Sequence, residues 1–338
     1  MSLRVGIAGV GYWGPHHVRN FNQLDGVRVT VVADRDPQRR AHIAGLYPAT
    51  RVLDDADVLL AQDDVDAVVV ATPAGSHYAI ARAALESGRH VLVEKPLTTT
   101  VADAEGLVAL AESRGLVLAS GHTFLYNPAV RKLREILASG ELGEVRYVDS
   151  VRANLGLHRK DVDVAWDLAA HDISILLYLL GESPAQVTAL TGDFNRAGTA
   201  ELAYLGMRFP GGVVAQVHAS WLFPVKVRRM TVVGARRMAV FDDVEPTEKL
   251  RIYDRGVDRL PYADTFGDFH LSYRNGEITA PAIDPAEPLR LECEEFVRAI
   301  RDRIRPVSDG RLGIEVVRVL DACDRSRRAG GVPVAMRP

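Results

Sequence analysis

A glycine-rich turn near the start of the chain constrains the fold more than any other feature of the sequence. Gly9-Val10-Gly11-Tyr12-Trp13-Gly14 follows the apolar run Arg4–Ala8 and opens a helical pattern. In such a turn Gly9 permits the tight bend, Gly11 lets a pyrophosphate approach the backbone, and Gly14 lets the helix pack closely on the strand. The helix amides that follow can hold phosphates. The motif therefore predicts a dinucleotide-binding turn, with a purely structural strand-to-helix turn as the alternative.

An acidic residue at the end of the second predicted strand supports this interpretation. Asp34 directly follows the strand Val27–Ala33, and a carboxylate about 20 residues beyond the last glycine accepts hydrogen bonds from ribose hydroxyls. Because such a carboxylate repels a 2′-phosphate, NAD is favoured over NADP. NADP stays possible because basic residues stand nearby, namely Arg35 and Arg39 or Arg40.

The first 120 residues alternate short β-branched runs with longer helical patterns, which is typical of a parallel sheet with crossover helices. Thr100 and Asp103 are spaced as a capping pair at the start of one helix. The sequence thus predicts an α/β Rossmann domain, a doubly wound parallel sheet, over residues 1–120. Its further strands are Asp66–Thr72, His90–Glu94 and Val117–Ser120, and its clearest helices are Ser76–Ser87 and Val101–Arg114.

From Glu144 onward, long alternating runs with few helices indicate a mostly antiparallel sheet, so we predict an α+β domain over residues 121–338. Gly211-Gly212 is expected to form a hairpin turn. An apolar helix, Asp167–Leu180, ends at Gly181. The runs are Glu144–Asn154, Ala185–Asp193, Ala200–Phe209, Val213–Trp221, Lys226–Gly234 and Arg237–Asp242, and the helices Leu289–Arg303 and Leu312–Arg328 follow a proline-rich connector.

Charge and composition exclude several classes of function. Lys and Arg number 41 against 44 Asp and Glu, so no global positive field exists to hold nucleic acid or an anionic membrane. Two cysteines are too few for a disulfide framework, and no clustered ligand set indicates a metal. The apolar stretch Ile173–Leu180 is far below the roughly 18 residues that a membrane span needs. We therefore expect a cytoplasmic protein that acts on a small molecule.

Polar residues follow three of the predicted parallel strands, at the edge where ligands of doubly wound folds bind. Lys95 leaves its strand at a proline, and its long cationic side chain can reach a bound nicotinamide or its substrate. The alternative is an ordinary surface lysine. The three segments are Thr72-Pro73 with His77 nearby, Glu94-Lys95-Pro96 and Gly121-His122.

A second pair of titratable residues lies at the start of the apolar helix. Asp167 and His171 are four positions apart, so they share one helical face. The carboxylate favours the imidazolium while burial opposes it, which leaves the histidine able to take up and release a proton near neutral pH. The alternative is that Asp167 only caps the helix and His171 is a core histidine.

The motifs Gly9-x-Gly11-x-x-Gly14, Glu94-Lys95-Pro96 and Asp167-x-x-x-His171, in this order, resemble the glucose-fructose oxidoreductase/inositol dehydrogenase/MocA family over nearly the whole chain. The resemblance implies a C-terminal domain whose open, mainly antiparallel sheet carries the substrate pocket and often the subunit interface. It also implies hydride transfer between NAD(P) and a sugar, inositol or sugar-nucleotide carbon. Because an open sheet face must be covered to avoid an exposed apolar surface, we expect a homodimer or homotetramer. Residues 121–128 and 166–172 look most like members from sugar-nucleotide and aminosugar pathways.

The resemblance implies catalytic roles for Lys95, Asp167 and His171. Together with the glycine turn, the predicted cofactor-binding residues are Gly9, Gly11, Tyr12, Trp13, Gly14, Asp34, Arg35, Thr72, Pro73, His77, Glu94 and Lys95. Polar or aromatic residues that flank the catalytic segments are candidate substrate contacts, each with a purely structural alternative, and Arg152 among them suits a phosphate or carboxylate. They are Tyr126, Asn127, Arg152, His158 and Trp166.

We therefore expect a sugar dehydrogenase or ketoreductase. In the oxidative direction His171 takes the hydroxyl proton, Asp167 orients His171, and Lys95 stabilises the negative charge that develops on the oxygen. Two alternatives stay open. One is an enzyme whose tightly held NAD is recycled within one catalytic cycle, as in NAD-dependent glycosidases or sugar-sugar oxidoreductases, and the other is a noncatalytic dinucleotide sensor.

Overall fold

The computed structural model describes residues 2–156, 161–259 and 271–336, which fall into two compact units. One holds the residues up to Asn127 together with Ala286–Asp321. The other is built mainly from residues 128–156, 163–259, 271–285 and 322–336. By packing, the helical segment near the C-terminus thus belongs largely with the N-terminal residues. The division of roles between residues 1–120 and 121–338 stays a prediction.

The first unit is built on a six-stranded parallel sheet. Its strands are β1 (Leu3–Ala8), β2 (Val27–Ala33), β3 (Arg51–Leu53), β4 (Ala67–Val70), β5 (His90–Glu94) and β6 (Leu118–Gly121), and its helices begin with α1 (Gly14–Asn22), α2 (Pro37–Leu46), α3 (Ala56–Leu60), α4 (His77–Glu86) and α5 (Val101–Ser113). The order β3-β2-β1-β4-β5-β6 is the doubly wound arrangement, which confirms the predicted Rossmann domain. The capping pair also forms, since Thr100 Oγ1 accepts a hydrogen bond from the Asp103 amide.

The second unit is built on a nine-stranded sheet in the order β14-β13-β12-β11-β7-β10-β9-β8-β15. Its strands are β7 (Val145–Leu155), β8 (Gln186–Gly192), β9 (Leu202–Arg208), β10 (Val214–Ser220), β11 (Leu222–Gly234), β12 (Met238–Asp242), β13 (Leu250–Arg259), β14 (Leu271–Thr279) and β15 (Val334–Ala335), with helices α6 (Pro128–Ala138) and α7 (Ala170–Leu180). Only β7 and β10 pair in parallel among these strands, so the mainly antiparallel sheet is confirmed. Gly212, at φ +89°, turns the chain between β9 and β10 as predicted.

Two helices near the C-terminus complete the architecture, α8 (Pro288–Asp302) and α9 (Gly310–Arg328). In the first unit α8 packs against α1, where the rings of Phe21 and Phe296 meet edge to face with centroids 6.3 Å apart. Residues of α9 up to Asp321 belong to the first unit and the later ones to the second. None of the helices that the structure describes is both long and apolar enough to cross a lipid bilayer.

Some elements differ from the sequence prediction. The short β3 and α3, the helix α6 and the strands β13 to β15 were not predicted. The strand β11 begins at Leu222, before the predicted Lys226, and its pairing with β7 shifts register between Leu222 and Val227, which breaks the alternating pattern. The predicted helix from Asp167 begins instead as a π-helical segment, Ala165–Ala169, that continues into α7.

Candidate cofactor and catalytic site

The glycine turn between β1 and α1 has little room for side chains. Gly9 has φ +90°, and a Cβ there would lie 2.6 Å from the carbonyl oxygen of Ala71. A Cβ on Gly14 would lie 2.2 Å from the carbonyl oxygen of Gly9. A Cβ on Gly11 would meet only the flexible end of Arg39, at 3.3 Å. Protein packing therefore requires Gly9 and Gly14, whereas Gly11 leaves the backbone open to a ligand, which fits a dinucleotide.

The N-terminal end of α1 lies at this turn. Trp13 occupies the N-cap position without a side-chain cap, Pro15 has no amide hydrogen, and the amides of His16 and His17 donate to the Trp13 carbonyl oxygen. The positive end of the helix dipole at this turn favours an anionic pyrophosphate. The rings of Tyr12, Trp13 and His16 meet edge to face, with centroids 5.4–5.8 Å apart. Tyr12 is 76% exposed. Contact of Tyr12 and Trp13 with the cofactor stays a prediction.

Asp34 connects the end of β2 to the glycine turn. Its Oδ2 accepts a hydrogen bond from the Val10 amide at 2.8 Å, and its Oδ1 accepts one from the Asp36 amide at 2.9 Å. A carboxylate offers about four acceptor positions, so Asp34 can accept ribose hydroxyls in addition. The structural contacts thus hold the carboxylate in place and leave it capacity for the predicted role.

The three arginines considered around Asp34 differ in their contacts. Arg35 pairs with Asp55 at 3.1 Å. Arg40 Nη1 donates to the carbonyl oxygens of Asp34 and Arg35. Arg39 Nη1 lies 3.7 Å from Asp34 Oδ2, and half of its side chain is exposed. Of the three, Arg39 is the best placed to meet a group bound at the Asp34 carboxylate.

His77 connects the ends of β4 and β5. Its Nδ1 lies 2.8 Å from the carbonyl oxygen of Pro96, and its Nε2 lies 2.9 Å from the carbonyl oxygen of Thr72. The Ser76 hydroxyl donates a hydrogen bond to the Thr72 hydroxyl at 2.8 Å. Pro73, which follows Thr72, is exposed. Because the His77 ring is buried between two backbone carbonyls, the geometry favours a role in holding these two strand ends together over direct contact with a cofactor.

Glu94 and Lys95 end β5, and both are buried, at 7% and 9% exposure. Glu94 Oε1 lies 2.8 Å from Nε2 of His17 on α1. Burial raises the pKa of Glu94, but the hydrogen bond and charge of His17 and the charge of Lys95 outweigh it, so the net pKa lies below the usual value. Lys95 therefore follows a carboxylate that stays ionised at neutral pH.

Two more titratable side chains are buried close to Glu94. Burial, together with the charge of Lys95, lowers the pKa of His122 to about 4. Burial and the charge of Glu94 raise the pKa of Glu292 well above its usual range. Glu292 Oε2 accepts a hydrogen bond from the Thr123 hydroxyl at 2.9 Å. His122 is therefore neutral at pH 7, and burial favours the protonated, uncharged form of Glu292. Glu292 and His17 were not predicted, because no local sequence pattern links them to Glu94.

In the second unit, Asp167 and His171 are both half-buried. Asp167 Oδ2 accepts a hydrogen bond from Nε1 of the buried Trp221 at 3.2 Å. The helix cap is Asp163, whose Oδ1 accepts from two backbone amides at 3.0 and 3.2 Å. Asp167 is therefore not the cap. It lies in the π-helical segment and His171 in the first turn of α7, and π-helical turns recur at functional sites.

Arg152, a predicted substrate contact, lies in a buried ion pair. Its Nε donates to Asp172 Oδ2 at 2.5 Å, and Ser150 Oγ donates to the other oxygen of Asp172 at 2.7 Å. The side chains of Arg152 and Asp172 are 3% and 4% exposed. This placement favours the structural alternative for Arg152. His158, another predicted substrate contact, lies outside the described residues.

The other predicted substrate contacts have buried partners of their own. The Tyr126 hydroxyl lies 2.9 Å from Ser308 Oγ in the first unit. Trp166 Nε1 donates to Asp324 Oδ2 at 3.3 Å in the second unit. Asn127 is 5% exposed at the end of a 3₁₀ turn. These contacts also favour structural roles, and contact with substrate stays a prediction.

Comparison with known protein families identifies both parts of the chain. Residues 3–122 match the model described as "Oxidoreductase family, NAD-binding Rossmann fold". Residues 130–240 match the GFO/IDH/MocA C-terminal domain. The two matches follow the order of the predicted motifs, which agrees with the resemblance seen in the sequence.

Individual relatives cover most of the chain. A UDP-N-acetylglucosamine 3-dehydrogenase of Acidithiobacillus ferrooxidans is 33% identical over 321 residues, which cover 94% of this chain and 95% of that protein. A crystal structure of that enzyme is 30% identical over 96% of this chain and 99% of its own, with a TM-score of 0.81. Inositol 2-dehydrogenase 2 of Saccharopolyspora erythraea is 34% identical over 290 residues, 81% of this chain and 83% of that one. A protein from gentamicin A biosynthesis, solved in complex with NAD, is 26% identical, with a TM-score of 0.84 over 100% of this chain and 97% of its own.

Proposed function

Because the chain belongs to the GFO/IDH/MocA family of oxidoreductases and carries its NAD-binding Rossmann domain, we propose that it is an NAD-dependent dehydrogenase or ketoreductase of a sugar, a sugar nucleotide or a related cyclic polyol. It transfers a hydride between nicotinamide and a secondary alcohol or ketone carbon. The observation that carries the proposal is the glycine turn with the anchored Asp34 carboxylate, together with the buried Lys95 at the end of β5. Relatives named as UDP-N-acetylglucosamine and inositol dehydrogenases support the substrate class.

The protein binds the cofactor through backbone and carboxylate groups. The turn Gly9–Gly14 and the positive end of the α1 dipole hold the pyrophosphate, and Asp34 accepts the ribose hydroxyls. NAD is favoured over NADP because the Asp34 carboxylate repels a 2′-phosphate. When bound, NAD supplies the acceptor for the hydride, while the protein supplies alignment and proton transfer.

Three side chains then act on the alcohol in the oxidative direction. His171 takes the hydroxyl proton as general base, and Asp167 orients the imidazole. Trp221, whose Nε1 lies 3.2 Å from Asp167 Oδ2, holds that carboxylate in place. Lys95 donates a hydrogen bond to the substrate oxygen and stabilises its developing negative charge. In the reductive direction the same groups return the proton.

The test follows nicotinamide absorbance over a panel of sugars, inositols and sugar nucleotides, with NAD and NADP in turn. We expect Lys95→Ala and His171→Ala to lose roughly 10²- to 10⁴-fold in kcat. Lys132→Ala is the matched control, because Lys132 is a half-exposed lysine that pairs with a neighbouring carboxylate of α6, Glu135. Full activity of both catalytic variants would refute the assigned roles.

Two outcomes of the same panel would favour the alternatives. Cofactor that stays bound through gel filtration, with product formed but no net NADH released, would indicate an enzyme that recycles its NAD within one cycle. NADH binding without turnover of any compound in the panel would indicate a noncatalytic sensor.

We also propose that a second copy of the chain covers the outer face of the nine-stranded sheet. Leu190, Tyr204, Val214 and Tyr147 are 43–61% exposed on this face. They are cross-strand neighbours, because Leu190 pairs with Tyr204 and Val214 pairs with Tyr147. An apolar face of this kind is typical of a protein contact surface. Light scattering should report a homodimer or homotetramer that Tyr204→Arg with Val214→Glu converts to monomers, and a monomeric wild type would contradict the proposal.

A further inference from the structure

Three buried side chains form a hydrogen-bonded row in the first unit. His17 of α1 has its Nε2 2.8 Å from Glu94 Oε1 and its Nδ1 3.8 Å from Sγ of Cys293 on α8. His17 and Cys293 have no exposed surface, and Glu94 is 7% exposed. The carboxylate end of the row is adjacent in sequence to Lys95, which is also buried.

The partners of His17 determine where the ring proton lies. Burial raises the pKa of Cys293 well above its usual range, so the sulfur keeps its proton at neutral pH. The ionised Glu94 carboxylate can only accept a hydrogen bond, so His17 Nε2 carries the proton of the 2.8 Å contact and donates it to Glu94. The row therefore runs from thiol to imidazole to carboxylate, and the imidazole is the donor to Glu94.

The row is not a nucleophilic thiol site. A reactive cysteine needs a thiolate and access to a substrate. Cys293 has neither, because burial holds its pKa high and its side chain is fully enclosed. The chemical effect of the row lies at its other end, where Glu94 precedes Lys95.

We infer that His17 is a positioning residue for Lys95, which it serves by holding the Glu94 carboxylate ionised and fixed beside the lysine. The inference rests on the proposed function, because it is in that function that Lys95 stabilises charge on the substrate. A buried carboxylate that loses its donor takes up a proton. A neutral Glu94 no longer supplies the negative charge that interacts favourably with the charge of Lys95 in the wild type.

Other charged and titratable groups act on Glu94 from the surrounding elements. Lys95 and His77 act in the same direction as His17, toward the ionised carboxylate. Burial raises the pKa of Glu292 and lowers that of His122 to about 4, so it favours the uncharged form of each. His17 forms a direct 2.8 Å hydrogen bond to Glu94, so its removal should change the protonation of Glu94 most.

The first experiment measures the pH dependence of kcat with the substrate found in the panel. In His17→Leu, which fills a similar volume without a donor, the acidic limb should move upward by about one pH unit or more. His17→Gln retains an N–H donor and should restore the wild-type profile. Val18→Ala is the control, because Val18 is a fully buried apolar residue on the same helix, and it should lower stability without moving the limb.

The second experiment observes Glu94 directly and needs no activity. With glutamate carboxyl carbons labelled, the NMR resonance that is missing in Glu94→Gln belongs to Glu94. The titration midpoint of this resonance should be higher in His17→Leu than in the wild type. If His17→Leu does not fold, His17→Asn replaces it, because the asparagine amide is too short to reach Glu94.

The outcomes of the two experiments are distinct. A folded variant without a donor that leaves both the midpoint and the pH profile unchanged would overturn the positioning role. A shifted midpoint in a protein that turns over nothing in the panel would overturn the proposed function and support the hydrogen-bonded row.

Discussion

Removal of Asp172 is predicted to destabilise the second unit strongly. Its carboxylate accepts from Arg152 Nε at 2.5 Å and from Ser150 Oγ at 2.7 Å, and the two charged side chains are 3% and 4% exposed. In Asp172→Ala the guanidinium stays in the interior and loses the charge and the hydrogen bonds of this carboxylate.

The expected loss follows from the burial of the pair. Removing one partner of a buried ion pair costs about 3–5 kcal/mol, which lowers the folding equilibrium constant roughly 10²- to 10⁴-fold. For a unit of this size the midpoint of thermal unfolding falls by about 6–20 °C. The half-exposed pair of Lys132 and Glu135 on α6 is the contrast, because Glu135→Ala should cost less than about 1 kcal/mol.

Urea unfolding followed by tryptophan fluorescence is a suitable assay. Trp166 and Trp221, two of the three tryptophans, lie in the second unit. The double variant Arg152→Met with Asp172→Leu should regain much of the lost stability, because it removes both charges together. A midpoint for Asp172→Ala within error of the wild type would refute this reasoning. A stable Arg152→Ala with a raised KM would instead restore the predicted substrate role of Arg152.

Three further predictions concern the first unit. Gly14→Ala should lower NADH affinity at least tenfold in a fluorescence titration, because its Cβ would lie 2.2 Å from the carbonyl oxygen of Gly9, and unchanged affinity would contradict the steric argument. His122, with its pKa lowered from 6.5 to about 4, stays neutral in the folded state while the unfolded chain takes up the proton, so the free energy of unfolding should fall by on the order of 3 kcal/mol between pH 7 and pH 4. His122→Leu should remove that part of the acid dependence in urea unfolding, and an unchanged dependence would show that other groups cause it. Tyr126→Phe should cost about 1 kcal/mol through its lost hydrogen bond to Ser308 without changing KM, whereas a raised KM at unchanged stability would indicate substrate contact.

Local sequence patterns predicted the parts of the fold that depend on local sterics. The glycine turn, the alternation of β1, β2, β4, β5 and β6 with helices and the hairpin at Gly212 were all predicted. The short β3 and α3 were missed because three and five residues carry too little periodic signal. The start of β11 was misplaced because its pairing with β7 is irregular between Leu222 and Val227.

The residues of the candidate site also fall into two groups, those that local sequence patterns predicted and those that packing alone brings together. Asp34 and Lys95 were found from their positions after predicted strands, because parallel strands bring their carboxyl ends to one edge. The row of Cys293, His17 and Glu94 could not be found, since its members are 77 and 276 positions apart and only the packing of α8 on α1 brings them together. Arg152 looked like an anion-binding group until the fold placed Asp172 against it.

By itself the sequence determined the two kinds of sheet, the dinucleotide turn and the order of the motifs that mark the family. These features depend on backbone sterics and on hydrophobic periodicity, which act between residues close together in the chain. Only the tertiary structure decided which charges are compensated: Glu94 by His17, Arg152 by Asp172. Burial sets the cost of an unpaired charge, and burial is a property of the packed chain that no local pattern records.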